Sequence, residues 1–244
     1  MKVSGSVVMI TGAAKRVGAT VAKTLAEAGA KLILHYHRSQ KDAEKLKGQL
    51  EKDFSTSVVI VQGNLKKLSD LKRLSQEAWD AFNRIDVLVN NASTFYPTPL
   101  GKVKEEEWED LFAVNAKAPF FLGESLGLKM QKKGKGKVIN IIDWAALRPY
   151  TSYVPYCASK AALISINRGL AKSLAPEVQV NAILPGPVLF PVDMSEAEKK
   201  RVLAQTPLKR EGSPQDIASA VKFLIEGNDF MTGTELHVDG GRHL

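Results

Sequence analysis

The chain has a single cysteine, Cys157, among its 244 residues. One thiol excludes an internal disulfide and any metal cluster built from cysteines, which favours a reducing compartment. Cys157 stands within a helical pattern of small residues. We therefore interpret it as a packed side chain rather than a nucleophile.

Long apolar runs are also missing. The run Val7–Ile10 near the amino terminus is interrupted at once by Thr11 and Gly12. Four apolar residues are too few for a membrane span or the apolar part of a signal peptide. We therefore expect a soluble cytoplasmic protein that does not bind membranes.

Acidic residues are outnumbered, with 26 Asp and Glu against 34 Lys and Arg, so the formal charge is +8. Such a charge suits an anionic ligand, nucleic acid or a membrane surface. The densest basic patch is interleaved with glycines and lacks the aromatic residues of a base-stacking platform; its members are Lys129, Lys132, Lys133, Lys135 and Lys137. We interpret it as a solvated loop and predict no nucleic-acid partner.

Short β-branched runs alternate with longer helical patterns along the whole chain. The predicted strands are Val7–Ile10, Leu32–Tyr36, Val58–Val61, Val87–Val89, Val138–Ile142, Val180–Leu184 and Glu235–Val238. This alternation predicts a doubly wound α/β fold with a seven-stranded parallel sheet. We expect a single domain over residues 1–244. The one long irregular region, about 185–214, is the expected substrate loop.

The first predicted strand leads into a glycine-containing turn, TGAAKRVG at 11–18, which a helical pattern follows. Glycine lets the backbone approach a phosphate, and the helix amino end presents free N–H groups. We therefore predict a dinucleotide-binding loop made of Gly12, Lys15, Arg16, Val17 and Gly18. Arg16 stands where such loops usually have another glycine. Its guanidinium is expected to point toward the pyrophosphate and the substrate cleft; the alternative is a surface arginine that caps the turn.

The second predicted strand ends in HYHRS at 35–39, without the acidic residue that would bind the ribose hydroxyls of NAD. Arg38 is suited to pair with a 2′-phosphate, and His37 and Ser39 to add hydrogen bonds. The predicted cofactor is therefore NADPH/NADP. A metal site at His35 and His37 is rejected because it has no obvious third ligand.

Tyr156 and Lys160 stand four residues apart in a helical pattern, so they share one face of the helix. An ammonium about 5 Å from a phenol stabilises the phenolate by roughly two pKa units. This pairing predicts that Tyr156 is a general acid near neutral pH. The alternative from these two residues alone is an ordinary exposed helix pair.

Several motifs in order resemble the short-chain dehydrogenases/reductases. They are TGAAKRVG at 11–18, NNAS at 90–93, Asn115, Tyr156 with Lys160, Pro185 with Gly186, and TGTELHVDGG at 232–241. The resemblance implies a Rossmann-like fold and a nicotinamide cofactor. It also implies Tyr156 as proton donor, Lys160 holding the ribose and tuning the phenol, and Asn115 supporting a water relay. Family members are typically tetramers or dimers, so we expect a homotetramer, with a dimer as the alternative.

Within this family, the segments TGAAKR at 11–16, HYHRS at 35–39 and NNASTFYPTPL at 90–100 resemble the pteridine reductases. This narrower resemblance implies that Arg16 and Ser93 contact cofactor phosphate and pterin, and that Phe95 stacks on the pterin ring. Asn64 departs from the pattern, because the family commonly has an aspartate there that accepts from the adenine amino group. Further implied cofactor positions are Leu65, Asn91, Ala92, Tyr156, Lys160, Pro185, Gly186 and Val188.

By the same resemblance, Asp143 lies beside Tyr156, at a position that is a serine in most of the wider family. A serine hydroxyl donates to a carbonyl oxygen, whereas a carboxylate would oppose the developing alkoxide. Reduction of a ring C=N bond instead requires a proton for nitrogen, and Asp143 with a raised pKa is suited to relay it. The alternative is that Asp143 caps a turn or pairs with Arg148.

Phe95 precedes Tyr96 and Pro97 in a loop at a strand end. This placement suits a ring that covers a flat substrate over the nicotinamide, or else a core anchor for the loop. Farther along the chain, an apolar lip is expected over the cleft, formed by Leu189, Phe190, Pro191 and Met194. Leu189 and Phe190 are predicted to contact substrate, and packing alone is the alternative.

These observations predict an NADPH-dependent reductase that transfers hydride to the ring C=N bond of a small-molecule pteridine, such as a dihydropterin or dihydrofolate. The first alternative is a carbonyl reductase, such as a 3-oxoacyl-thioester reductase. The second is a nonenzymatic NADPH-binding or nucleic-acid-binding module on the same scaffold. Asp143 argues against the first, and the set of Tyr156, Lys160 and Asn115 argues against the second.

Overall fold

The β-branched runs form parallel strands of one sheet in the computed structural model, which describes residues 1–190 and 194–244. The strands are β1 Val7–Ile10, β2 Lys31–Tyr36, β3 Val58–Gln62, β4 Val87–Asn90, β5 Gly136–Ile141, β6 Val178–Pro185 and β7 Glu235–Val238. Each predicted strand is present, with ends shifted by at most two residues. The doubly wound α/β prediction is confirmed.

Helices cover both faces of this sheet. They are α1 Arg16–Glu27, α2 Gln40–Phe54, α3 Leu68–Asp80, α4 Glu105–Phe112, α5 Ala118–Lys132, α6 Val154–Leu174, α7 Glu196–Ala204 and α8 Pro214–Glu226. Residues of α1, α2 and α8, such as Val21, Leu50 and Ile217, pack on one face. Residues of α3 and α5, such as Leu74 and Leu122, pack on the other. Strands buried on both faces explain why their sequences are continuously apolar.

The strand order is β3-β2-β1-β4-β5-β6-β7, so the direction of winding reverses between β1 and β4. Crossover connections leave these two strands in opposite directions and open a crevice at their carboxyl ends. The segments that follow β1, β4, β5 and β6 therefore meet at one edge of the sheet. All the residues predicted to bind cofactor or substrate belong to segments at this edge or to the helices beside it.

The region 185–214 is less irregular than the sequence analysis expected, because it contains α7. This helix begins at a capping box in which Ser195 Oγ accepts from the Glu198 N–H and the Glu198 side chain accepts from the Ser195 N–H. The S-x-x-E pattern that specifies such a start is present in the sequence. Residues 191–193 lie outside the described range. No helix in the described ranges is long and apolar enough to cross a membrane.

Candidate active site

The glycine loop after β1 is shaped by two close approaches of the backbone. Gly12 adopts φ +62, and a Cβ there would lie 2.9 Å from Ala92 Cα. A Cβ on Gly18 would lie 2.5 Å from the Gly12 carbonyl oxygen. Both positions therefore require glycine, because only a residue without a Cβ lets the loop pack this closely at the amino end of α1. This is the geometry expected of a phosphate cradle.

Residues on neighbouring strand ends fix this loop in place. Asn91 Nδ2 donates to the carbonyl oxygens of Thr11 (2.9 Å) and Gly12 (3.1 Å). Thr11 Oγ1 accepts from the N–H groups of Asn91 and Ala92, both at 3.0 Å. Thr11 is a structural member of the site that sequence reasoning missed, although its hydroxyl stands at the end of the first strand.

Arg16 has the backbone conformation of the glycine that it replaces. Its φ is +53, in the left-handed region that β-carbons disfavour. The exposed guanidinium donates to the Leu189 carbonyl oxygen at 3.3 Å. Arg16 therefore reaches from the cofactor loop to the start of the predicted substrate loop, rather than only capping its own turn.

His35, which sequence reasoning considered only as a metal ligand, packs against the glycine loop and forms a hydrogen bond with it. Its Nδ1 accepts from the Gly12 N–H at 3.1 Å, and its Nε2 lies 3.0 Å from the Gly63 carbonyl oxygen. This pairing requires the neutral imidazole with its proton on Nε2. Burial lowers the pKa of His35 to about 4, so the neutral form persists at physiological pH.

A cluster of positive charge follows β2. Arg38 is exposed, and His37 and Ser39 are partly exposed beside it. Burial, and then the charges of Arg38 and Lys66, lower the pKa of His37. Burial is the largest cause of the lowered pKa, and the further lowering by Arg38 and Lys66 indicates a local positive potential, which suits an anionic group such as a 2′-phosphate.

Asn64 lies at the end of β3, where its oxygen accepts from the Lys66 N–H at 3.1 Å. Its own backbone N–H donates to Asp70 Oδ2 at 2.7 Å. Leu65 is buried in the core, 6% exposed. An amide oxygen has a second lone pair, so Asn64 keeps one acceptor site for a ligand.

Tyr156 and Lys160 are buried, at 4% and 2% exposure, so the interpretation as an exposed helix pair is wrong. The Tyr156 hydroxyl donates to Asp143 Oδ2 at 2.7 Å. Lys160 Nζ donates to the Ile141 carbonyl oxygen at 3.1 Å and lies 5.9 Å from the centre of the Tyr156 ring. Helix α6 and the carboxyl end of β5 thus bring the three side chains together.

Asp143 also caps the short 3-10 turn Trp144–Ala146, because its Oδ1 accepts from the Ala145 N–H at 2.8 Å. The turn-capping alternative and the contact with Tyr156 are therefore both present. One carboxyl oxygen holds the turn and the other meets the phenol. The turn fixes the direction in which the carboxyl points.

The pKa values of the three groups differ from the sequence expectation. Burial, and then the Asp143 charge, raise the pKa of Tyr156 well above its ordinary value, whereas we expected Lys160 to lower it. Burial is the larger cause, and the Asp143 carboxylate adds to it because it faces the phenol directly, whereas the Lys160 ammonium donates to Ile141. Burial raises the pKa of Asp143 and lowers that of Lys160 to about 8.

Asn115 lies in a π-helical turn, Ala113–Lys117, between α4 and α5. Its Oδ1 accepts from Ser93 Oγ and the Thr94 N–H, both at 3.0 Å. Its Nδ2 donates to the Thr94 carbonyl oxygen and to Ser159 Oγ, and that hydroxyl donates to the Tyr156 carbonyl oxygen. Asn115 therefore ties the segment after β4 to helix α6. Such π-helical turns are frequent at functional sites.

Phe95 is 44% exposed, so it is not a core anchor. One face stacks on Tyr153, with ring centroids 4.6 Å apart, and Tyr156 meets Phe95 edge-on at 4.7 Å. The next residue, Tyr96, holds the loop because its hydroxyl donates to Asp110 Oδ2 at 3.0 Å. Tyr153 is a second member that sequence reasoning missed; its place directly before α6 and three residues before Tyr156 was the available signal.

The segment after β6 completes the site. The Gly186 N–H donates to the Val238 carbonyl oxygen at 3.0 Å, while Pro185 and Val188 are partly buried on either side. Leu189 is 37% exposed and Phe190 partly exposed. Met194 is also partly exposed, and the expected contribution of Pro191 lies outside the described residues.

Comparison with known proteins agrees with this geometry. The family model described as enoyl-(acyl carrier protein) reductase matches residues 12–243. The chain is 31% identical over 240 residues to the 3-oxoacyl-[acyl-carrier-protein] reductase FabG of Staphylococcus epidermidis, a match that covers 97% of this chain and 98% of the relative.

Two solved structures are similar over the whole chain. One is a blue fluorescent protein from a metagenomic library in complex with NADPH, with a TM-score of 0.92, 30% identity and full coverage of both chains. The other is FolM alternative dihydrofolate reductase 1 from Brucella canis complexed with NADP, with a TM-score of 0.90 and 32% identity, covering all of this chain and 96% of that one.

The fold and the site define an NADP-dependent oxidoreductase with a doubly wound sheet. The chain belongs to the short-chain dehydrogenase/reductase family. Similarity to FolM supports the narrower resemblance to pteridine-type reductases, whereas the similarity in sequence to FabG is equally close.

Proposed function

We propose that this chain is an NADPH-dependent reductase of a pteridine, acting on a dihydropterin and also on dihydrofolate. The observation that carries the proposal is the 2.7 Å hydrogen bond from the Tyr156 hydroxyl to Asp143. A carbonyl substrate needs a neutral donor at this position. A ring C=N bond needs a group that delivers a proton to nitrogen.

The residues present fit the cofactor. The glycine loop stands at the amino end of α1, where helix N–H groups suit the pyrophosphate, and Arg38 with His37 and Ser39 would bind the 2′-phosphate. Lys160 would hold the ribose beside Tyr156. When bound, NADPH supplies the hydride that adds to the ring carbon.

The chain's own residues supply the proton that adds to the ring nitrogen. Burial raises the pKa of Asp143, which favours the protonated form of its carboxyl, and this carboxyl contacts the Tyr156 hydroxyl. The proton therefore leaves either from Asp143 or from Tyr156 with Asp143 replacing it. Either route leaves one negative charge within the buried pair, which the Lys160 ammonium stabilises.

Phe95 supports the same substrate class. One face of its ring stacks on Tyr153, and 44% of the side chain is exposed. An aromatic ring held in this way suits a flat heterocycle, because stacking adds roughly 0.5–1.5 kcal/mol beyond the area that it buries. By the family resemblance, Ser93 and Arg16 would contact the same substrate.

A second candidate is a 3-oxoacyl-thioester reductase, which the similarity to FabG favours. The two candidates make opposite demands on residue 143. In a carbonyl reductase, a carboxylate at this position would repel the negative charge of the developing alkoxide. A serine would remove that repulsion. A pteridine reductase loses its proton source when Asp143 is replaced.

The test is NADPH oxidation by the wild-type chain and by Asp143→Ser, each with dihydropterin, dihydrofolate and acetoacetyl thioester. We expect the wild type to reduce the pterin, and Asp143→Ser to lose about 10²-fold or more of that activity, the typical contribution of a general acid. Turnover of the thioester alone by the wild type would overturn the proposal in favour of the carbonyl reductase.

Absence of turnover with every substrate, together with unimpaired NADPH binding, would favour the nonenzymatic binding module instead. We also propose that the chain assembles as a homotetramer, with a dimer as the alternative. This proposal rests on the family resemblance.

A further inference from the structure

The carboxyl-terminal segment brings two histidines and an aspartate together outside the catalytic group. His237 belongs to β7, and Asp239 follows the strand. Gly240 and Gly241, with φ +67 and +85, then turn the chain back on itself. His243 consequently stacks on His237, with ring centroids 3.9 Å apart.

The side chains of this group converge on one point. One ligand atom from each of His237, Asp239 and His243 lies within 4.8 Å of the other two. Asp239 Oδ2 is 2.8 Å from His243 Nδ1 and 3.9 Å from His237 Nδ1. Asp239 is only 5% exposed, and its carboxyl is oriented by the Gly241 and His243 N–H groups, both at 2.9 Å.

His237 Nδ1 is the atom that indicates a ligand. It is buried, yet it finds no hydrogen-bond partner within residues 1–190 and 194–244. Asp239 Oδ2 is too distant to provide one. Buried polar atoms are usually paired because an unpaired one is costly. A cation bound between the nitrogen and the carboxylate would satisfy both.

We propose that His237, Asp239 and His243 bind a divalent transition-metal cation of the Zn²⁺ class, with water as a fourth ligand. Two imidazoles and a carboxylate are a ligand set that Zn²⁺ accepts in tetrahedral geometry. Ligand distances of about 2.0–2.2 Å place neighbouring ligand atoms of a tetrahedral site about 3.3–3.6 Å apart. The distances from Asp239 to the two histidines, 2.8 and 3.9 Å, bracket this range.

The surroundings also leave room for an ion. A cavity of about 500 Å³, lined in part by Pro187, Leu208 and Arg210, opens onto both histidines. It gives the ion and its water a route to the site.

Metal binding at this position would stabilise the carboxyl-terminal segment, which contacts two segments of the candidate active site. The Val238 carbonyl accepts from Gly186, at the start of the predicted substrate loop. Arg242 lies over the ring of Trp144, 4.8 Å from its centre, and Trp144 follows Asp143. The ion would therefore hold the carboxyl-terminal turn without touching the substrate, and the inference does not depend on which substrate is reduced.

The test is titration of the full-length, untagged chain with Co²⁺, followed by its visible absorption, and then displacement of Co²⁺ by Zn²⁺. We expect one ion per chain with a tetrahedral spectrum. His237→Gln and His243→Gln should each weaken binding by at least about 10–100-fold, the loss that follows even from removing a residue outside the coordination sphere. His37→Gln removes a histidine elsewhere, and binding to this control should match the wild type.

A second measurement on the wild type does not depend on whether the variants fold. Zn²⁺ at 100-fold excess over its Kd should raise Tm by about 5–10 °C, and a chelator should reverse the gain. The inference is overturned if the wild type shows no Co²⁺ spectrum. It is equally overturned if His237→Gln and His243→Gln both bind the ion as the wild type does, or if Zn²⁺ leaves Tm unchanged.

Discussion

At the scale of single residues, the hydrogen bond between Tyr156 and Asp143 determines the chemistry available to the site. Burial raises the pKa of both groups, the Asp143 charge raises that of Tyr156 further, and the hydrogen bond from Tyr156 partly offsets the rise at Asp143. Lys160 stays close enough to stabilise the negative charge, although it donates to Ile141. One proton is thus shared between two groups that both hold it more tightly than they would in water.

Replacing Asp143 by asparagine should change how stability depends on pH. The folded pKa of Asp143 lies above its unfolded value of about 3.9. Its protonated form therefore contributes stability that is fully present below about pH 4 and is lost as pH rises through the folded pKa. An asparagine at this position cannot titrate, so Asp143→Asn should gain stability relative to the wild type as pH rises from 4 to 7.

The expected gain is about 1.4 kcal/mol for each unit by which the pKa is raised. Urea unfolding of both proteins at pH 4 and pH 7 measures it. Asp53→Asn removes the same charge from the exposed surface of α2 and controls for net charge. Parallel stability curves for wild type and Asp143→Asn would contradict the raised pKa.

Phe95→Ala should raise the KM for the pterin about tenfold, because the open face of the ring would no longer stack on substrate. The KM for NADPH should change little. Steady-state kinetics with each substrate varied in turn measures both values. Phe223→Ala is a matched control, since Phe223 is also 44% exposed but lies on α8. An unchanged pterin KM in Phe95→Ala would remove Phe95 from the site.

At the scale of elements, the strands were predictable because their β-branched runs are buried on both faces and leave little choice of structure. Local features that depend on residues far away in the sequence could not be predicted in this way. The left-handed backbone of Arg16 and the π-helical turn that carries Asn115 have no distinct sequence pattern. The packing of His35 under Gly12 appears only when β1 and β2 are paired.

The same limit applies to the candidate site. The sequence predicted that Asp143 would lie beside Tyr156, and the structure places the two in contact. The predicted direction of the Tyr156 pKa was wrong because helical spacing defines the separation of Tyr156 and Lys160, but neither the burial of the phenol nor the hydrogen bond that each side chain makes. The stacking of Tyr153 on Phe95 joins segments far apart in the chain, so spacing alone does not predict it.

The amino end of α1 offers an element-scale prediction. A methyl group at residue 18 would lie 2.5 Å from the Gly12 carbonyl, so Gly18→Ala should displace the glycine loop. We expect a loss of about 1–3 kcal/mol of stability from the steric clash, together with weaker NADPH binding. Denaturant unfolding and fluorescence titration with NADPH measure the two effects.

Gly48 provides the matched control, because it is also helical but has open space where a Cβ would stand. Gly48→Ala should stabilise the chain by about 0.5–1 kcal/mol and leave NADPH binding unchanged. If Gly18→Ala behaves like Gly48→Ala, then the close approach to Gly12 does not shape the cofactor cradle.

At the scale of the whole molecule, part of the excess positive charge lies where the cofactor is expected to bind. The net charge of +8 is spread over the chain, but the site carries its own local cluster around His37. A dinucleotide with a 2′-phosphate brings more negative charge to that cluster than one without it. The cluster should therefore make NADPH stabilise the folded chain more than NADH does.

Binding of NADPH to the folded chain alone should raise its free energy of unfolding by about 2.7 kcal/mol at 100 times Kd. For a chain of this length the gain corresponds to about 5–10 °C in Tm. At the same concentration NADH should give a smaller gain. Because Arg38 is exposed, added salt should reduce the NADPH gain more than the NADH gain.

Arg38→Ala should make the two cofactors equivalent in this melting experiment, whereas Lys52→Ala, which removes an exposed charge from the end of α2, should preserve the difference. Both variants lower the net charge by one. A difference between NADPH and NADH that survives in Arg38→Ala would mean that other groups bind the 2′-phosphate, with Lys66 and Lys67 the remaining cations that act on His37. If the difference between NADPH and NADH disappears in both variants, the preference for NADPH depends on the overall charge of the chain. A specific ion pair with the 2′-phosphate depends on the position of the cation, whereas a diffuse electrostatic field does not.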